Sequence, residues 1–138
     1  MKHKTSEKGD IGELVVAADL ISKGFNVFTP ISSTSPFDLL VFKDGKYYRV
    51  QVKYRKINDN GSLNVSMTRH SISHSKIKEV ENTFVDVMVI YCPCTRECYY
   101  IDSKEFNLHI SLRVIEPRNK QTKGIRYSKD YLEFPKTT

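Results

Sequence analysis

Several features that assign a function quickly are missing from this sequence of 138 residues. No apolar run approaches the roughly 20 residues of a membrane span, and Met1-Lys2-His3-Lys4-Thr5-Ser6-Glu7 is too polar for a signal peptide. The expectation is a cytoplasmic chain with no membrane partner. Its three cysteines, Cys92, Cys94 and Cys98, fall in one short stretch without a C-x2-C pair or an evident fourth ligand. Zinc is therefore disfavoured and reduced thiols are expected. The histidines have no ligand spacing; His70 and His74 are four apart, but no acid or cysteine accompanies them. Gly9-x-x-Gly12 is too short for a phosphate loop, and no serine sits in a nucleophile elbow. Repeats, low-complexity tracts and domain boundaries are absent as well, so residues 1–138 are expected to form a single domain.

What is present is a basic excess on an ordinary globular composition. Lys and Arg number 22 against 16 Asp and Glu, a formal charge of +6, with a pI of about 9.2. That balance favours a polyanionic partner. The basic side chains that invite a DNA backbone are Arg49 and Arg55 in one strand, and Arg118, Lys120 and Lys123 in the basic segment 116–129.

Hydrophobic spacing predicts a first helix over about Ser6–Ser22, through Ile11, Leu14, Val15, Ala18 and Ile21, with Gly24 placed to stop it. Apolar residues almost surround that helix, which predicts heavy burial against a sheet. Gly9 and Gly12 are expected to leave Glu13 beside open backbone, where a metal or a phosphate strand can approach. Strands are predicted at Phe25–Thr29, Ser62–Thr68, Val85–Tyr91, Cys98–Ile101 and Leu108–Val114, with a short helix capped by Asp102 or Ser103. The segment from Arg69 to Glu81 is polar and ambiguous. Helix, strand, hairpin and further strands in this order give an α+β fold around a mixed sheet.

The most informative stretch is Phe37–Arg55. Phe37-Asp38-Leu39-Leu40-Val41-Phe42 reads as a strand, Asp44-Gly45 as a two-residue turn, and Tyr47–Arg55 as the return strand. A loop at Asp44-Gly45 pairs Lys43 with Lys46 and, counting back, sets Asp38 opposite Gln51. Opposed residues share a face with Cβ atoms about 4.5–5.5 Å apart, and alternation puts Lys53 on that face too. Asp38 also interrupts an apolar strand, where acids are depleted. A carboxylate, an amide oxygen and an ammonium brought together suit a divalent cation beside a phosphate.

Asp38 followed by Gln51-Val52-Lys53 resembles the signature of the PD-(D/E)XK nuclease superfamily, an aspartate and then, one strand later, acid-x-lysine. Phe37 replaces the proline of that signature and Gln51 replaces its second acid. Lys8-Gly9-Asp10-Ile11-Gly12-Glu13 resembles the family's first-helix motif, and Gln121-x-x-Gly124-Ile125-Arg126-Tyr127 with Asp130-Tyr131 extends the likeness downstream. Within the superfamily the chain looks like the cyanobacterial group I intron homing endonuclease branch, which also places glutamine before the lysine.

The resemblance implies a restriction-endonuclease-like α/β/α fold with a central mixed sheet flanked by helices. It further implies a Mg2+-dependent endonuclease acting on double-stranded DNA as a homodimer or homotetramer, with Mn2+ able to substitute. Asp38 is then the central metal ligand, assisted by Glu13 and the Val52 carbonyl. Gln51 supplies a neutral oxygen, and Lys53 stabilises charge on the phosphate in the transition state. A Holliday-junction resolvase, or an inactive DNA-binding protein on a nuclease fold, are the alternatives. Self-association is expected to use apolar side chains such as Tyr91, Tyr99, Tyr100 and Phe106, more than a small core needs.

Overall fold

The computed structural model describes residues 4–66, 85–105, 109–117, 119 and 123–136. Helix α1 runs over Lys4–Ser22 and stops where Gly24 adopts a φ of 93°, a left-handed conformation that glycine reaches without a Cβ penalty. The Phe25 amide then donates back to the Leu20 carbonyl at 3.0 Å, closing the last turn. Five strands form the main sheet: β1 (Asn26–Phe28), β2 (Leu39–Lys43), β3 (Lys46–Tyr54), β5 (Val87–Cys92) and β6 (Glu97–Asp102). Their spatial order is β1-β2-β3-β5-β6. Only β3 and β5 run parallel, the remaining pairs being antiparallel. The sheet is therefore mixed, as the α+β reading requires. The other two strands, β4 (Ser62–Ser66) and β7 (His109–Arg113), form a separate antiparallel ribbon.

Two cores lie on opposite faces of the sheet. One gathers Val16 and Leu20 of α1 with Leu39, Val41, Val50, Val87, Val89 and Tyr100. The other packs Leu63, Val65, Ile110 and Leu112 of the ribbon on Met88, Ile90, Cys92, Tyr99 and Ile101. Full burial of each such aliphatic side chain stabilises by about 1.5–3 kcal/mol. Among the described residues, the layer opposite α1 is this β-ribbon and not the helices expected on both faces. Near the C-terminus, Phe134 sets its ring 4.5 Å from that of Phe25, 5.1 Å from Tyr48 and 5.8 Å from Tyr100.

The predicted elements hold, with shorter ends in places. The short helix is a 3-10 turn at Ser103–Glu105, capped by Asp102, whose carboxylate accepts the Lys104 N–H at 2.9 Å. Segment 67–84, which contains His70 and His74, lies outside the described residues, as do Phe106, Leu108, Arg118, Lys120 and Gln121.

Two expectations about burial need correction. Helix α1 buries only one stripe, Gly12, Val16 and Leu20, while Ile11, Leu14 and Ile21 remain 47, 71 and 61 % exposed. A single sheet face beneath the helix cannot cover its whole circumference. The tyrosines expected at a self-association surface are internal instead: Tyr91, Tyr99 and Tyr100 are all buried, because β5 and β6 are covered on both faces. The cysteines divide the same way. Cys92 enters one core and Cys98 the other, so these two thiols point to opposite sides of the sheet, and all three cysteines are free. Burial pushes the Cys98 thiol up to about 12.

Candidate active site

The hairpin turn takes the form its residues dictate. Asp44 and Gly45 both have positive φ, 52° and 80°, matching the right-handed twist of the flanking strands. The ladder runs Lys43↔Lys46, Phe42↔Tyr47, Val41↔Tyr48, Leu40↔Arg49 and Leu39↔Val50, the register expected from the sequence. It ends one pair short of Asp38. Instead of continuing opposite Gln51, Asp38 donates its N–H to the Val50 carbonyl at 2.9 Å. Its carboxylate turns back to accept the Val52 N–H at 2.8 Å. The predicted strand Phe37–Phe42 thus begins at Leu39, and Asp38 sits on the break. A side chain takes over a ladder bond, and the acid is pinned against β3.

Along β3, residues with even numbers face α1: Val50 is buried, and Tyr48, Val52 and Tyr54 pack on that core. Odd-numbered residues face the other way. Gln51 and Lys53 pair with Met88 and Ile90 of β5, both in the core under the ribbon, so Gln51 and Lys53 share that side of the sheet. Both are half-buried. Val52 turns its N–H toward Asp38, and a strand residue directs its carbonyl to the same side as its N–H. The Val52 carbonyl therefore faces the end of β2.

Glu13 arrives from the helix. Gly12 is buried, and a Cβ there would stand 3.4 Å from Val52 Cγ1 and 3.6 Å from Tyr54 Cβ. A methyl there would make ordinary contact, so Gly12 faces β3 and not a phosphate, whereas Gly9 is exposed with nothing within 4 Å of its Cβ position. Closeness of helix and strand is what brings Glu13 toward Asp38. Burial, then the Asp38 charge, then Asp10, raise the Glu13 carboxyl above its ordinary value. Asp38 is raised by burial as well, opposed by its bond from Val52 and the charge of Lys53. A cleft of about 680 Å³ between α1 and the 29–38 segment carries Asp10, Glu13 and Asp38 on its wall. Asp10 was missed as a member of this acidic group. Its spacing of three from Glu13, one helical turn, was the available signal.

These donors fit a small, hard divalent cation. Two carboxylates raised above their ordinary range, Asp38 by burial and Glu13 by burial and the neighbouring acids, gain from a positive charge beside them. The neutral carbonyl oxygen of Val52 is of the type such ions accept, whereas Gln51 and Lys53, on the ribbon side of the sheet, do not line the cleft that holds Glu13 and Asp38. Among the described residues, no three His, Cys, Asp or Glu group together at ligand spacing, so neutral oxygens would have to complete the shell.

The basic residues sort differently from expectation. Arg49 is engaged by Asp86: Nε donates to Oδ2 and Nη2 to Oδ1, both at 3.0 Å, and the Arg49 N–H donates to Oδ2 at 2.8 Å. A guanidinium held bidentate by a carboxylate ties β3 to the residue just before β5, so Arg49 has a structural partner that the sequence did not show. Arg55 continues β3 beyond Lys53, with Nη1 donating to the Tyr54 carbonyl at 2.8 Å. Lys123 is exposed, lining a cleft with Asn60, Arg113 and Asn119. No helix among the described residues is long and apolar enough to cross a membrane.

Comparison with known proteins bears on the fold and the family. A bacterial homing endonuclease, I-Ssp6803I, is similar in structure with a TM-score of 0.73 at 20 % identity, covering 94 % of this chain and 88 % of that one. The Holliday junction resolvase Hjc of Archaeoglobus fulgidus is similar with a TM-score of 0.52 at 14 % identity, covering 77 % of this chain and 84 % of the other. No curated protein matches the sequence. At these identities the two structures establish the restriction-endonuclease-like fold. The family model for the PD-(D/E)XK endonuclease matches residues 3–134, nearly the full length, and with Asp38, Gln51-Val52-Lys53 and Glu13 in the arrangement described, the chain belongs to the PD-(D/E)XK endonuclease family.

Proposed function

We propose that this protein is a Mg2+-dependent endonuclease that hydrolyses phosphodiester bonds in double-stranded DNA, acting as a homodimer or homotetramer, with Mn2+ able to substitute. The observation that carries the reading is the Asp38 carboxylate bonded to the Val52 N–H at 2.8 Å, on the strand that bears Gln51 and Lys53. Asp38, Glu13 and the Val52 carbonyl would hold the ion, with Gln51 as a neutral neighbour. When bound, such a cation lowers the pKa of water and neutralises charge on the phosphate.

The chain's own residues do the rest. Asp38 is oriented before substrate arrives, because its Val52 bond removes the freedom of the carboxylate. Lys53 offers an ammonium to the non-bridging oxygen or the attacking water, which stabilises charge as it develops. Gln51 in place of an acid leaves the site one negative charge lighter. Affinity for the free ion falls accordingly, and the substrate phosphate counts for more as a ligand.

The experiment is cleavage of duplex, four-way-junction and single-stranded DNA with and without Mg2+. Duplex cleavage that needs the ion supports the reading. Preference for junctions makes the protein a resolvase, and binding without cleavage of any substrate makes it an inactive DNA-binding protein on a nuclease fold.

A further inference from the structure

We propose that the outward face of the β4–β7 ribbon reads base edges in the major groove of duplex DNA. The inference rests on the DNA-endonuclease reading and adds the surface that selects sequence.

The ribbon has two unlike faces. Inward, Leu63 pairs with Leu112 and Val65 with Ile110, all buried in the core on β5 and β6. Outward, Asn64 pairs with Ser111 and Ser66 with His109, while Arg113 at the end of the row pairs with Ser62, which is buried. Asn64, His109 and Ser111 are exposed. Asparagine is depleted from strands, where β-branched and aromatic side chains are preferred. A solvated strand face that served stability alone has no need of it in mid-ribbon. Asn, Ser, His and Arg are instead the side chains that address base edges: asparagine matches adenine, arginine matches guanine, and serine serves either.

Charge and shape point the same way. The cleft over this face, about 700 Å³, is lined among the described residues by Arg55, Arg113 and Arg126 and by no acid, although Arg126 Nε also stands 4.0 Å from Glu105 Oε1. Arg113 is oriented by its own backbone, Nε donating to the Ile115 carbonyl at 2.6 Å. A two-stranded ribbon fits a groove about 12 Å wide. Same-face residues along a strand recur at roughly 6.8 Å, about two base-pair steps at 3.4 Å each. Anchoring of the apolar face to the core makes the reading row rigid.

Placement completes the argument. Arg55 lines the ribbon cleft and stands two residues after Lys53, one past the end of β3, where its N–H donates to the Tyr91 carbonyl at 3.0 Å and carries the extended run beyond the strand. The cleft and the catalytic strand thus share a wall, and one duplex can lie against both.

The test is selection from a random duplex pool by the full-length protein in EDTA, followed by sequencing of the bound fraction, with Asn64→Thr and Arg113→Lys alongside. Threonine keeps the strand, and lysine keeps the charge while losing the two-pronged guanidinium. The wild type is expected to enrich a motif. Each variant should lose roughly 5- to 150-fold of preference at one or two base pairs, the worth of a good bidentate contact. Circular dichroism of both variants should match the wild type. An unchanged motif in both folded variants overturns the proposal, as does a wild type that enriches no duplex motif, the result expected if the ribbon holds RNA or a protein. Plasmid cleavage in Mg2+ is scored separately: a protein that selects a motif without cutting keeps the ribbon assignment and loses the nuclease reading.

Discussion

The hairpins β2–β3 and β5–β6 belong to one sheet but differ in what covers them. Both faces of β5 and β6 are covered, one by the α1 core and the other by the ribbon. Every residue of β5 is buried as a result. On β3, only Val50 is fully buried, and its odd-numbered face carries Arg49, Gln51 and Lys53. Where two layers cover a strand, the sequence is a continuous apolar run. Where the described residues cover only one face, polar side chains can sit on the other. The site sits at the seam between these regimes, with Asp38 on the break of β2 and Glu13 reaching in from the helix.

That contrast can be broken in order of expected effect. Ile90→Ala removes aliphatic volume from the fully covered strand and should cost about 2–5 kcal/mol of stability, measured by urea unfolding. Lys53 pairs with Ile90 across the parallel ladder. Lys53→Ala should leave stability nearly unchanged but lower kcat roughly 10²–10³-fold. If both substitutions cost stability equally, the two hairpins are not functionally distinct. Glu13→Gln should give a partial defect that added Mg2+ relieves, and Gln51→Glu should keep metal binding, both followed by titrating Mg2+ in a cleavage assay.

A smaller effect is expected at the Arg49–Asp86 pair. Burial alone would raise the Asp86 carboxyl, but the side-chain and backbone bonds and the charge of Arg49 hold it below the ordinary range. A depressed folded-state pKa contributes stability above the unfolded value, which is lost as pH falls through the folded one. Asp86→Asn should therefore cost about 1 kcal/mol at neutral pH, given that both side chains are over one-third exposed. The difference from wild type should shrink as the buffer is taken below the ordinary carboxylate range. A constant difference across that titration would remove the ion pair as its cause.

Much of this was legible in the sequence. The Asp44-Gly45 turn fixed the register of the hairpin because a two-residue loop with positive φ leaves no slack, and the helix stop at Gly24 followed from the same backbone freedom. Tertiary substitutions were harder to read. That Asp38 gives up its place opposite Gln51 to take the Val52 N–H depends on where the ladder ends, and no local pattern reports it. Arg49 read as a free cation because its partner, Asp86, lies 37 residues away. The exposed flank of α1 was unreadable for a similar reason: apolar spacing says which residues can be buried, not how many layers are available to bury them. The outward polar row of the ribbon went unread as well, because it exists only once β4 pairs with β7.

The central claim is that Asp38 serves the chemistry as well as the end of the β2–β3 ladder. Its most direct measurement sets duplex cleavage in Mg2+ beside duplex affinity for Asp38→Ala and the wild type. The account predicts that cleavage is lost while affinity is kept or raised, since a negative charge facing phosphate has been removed. Cleavage at wild-type rates by a folded Asp38→Ala protein would contradict it and place the chemistry elsewhere in the molecule.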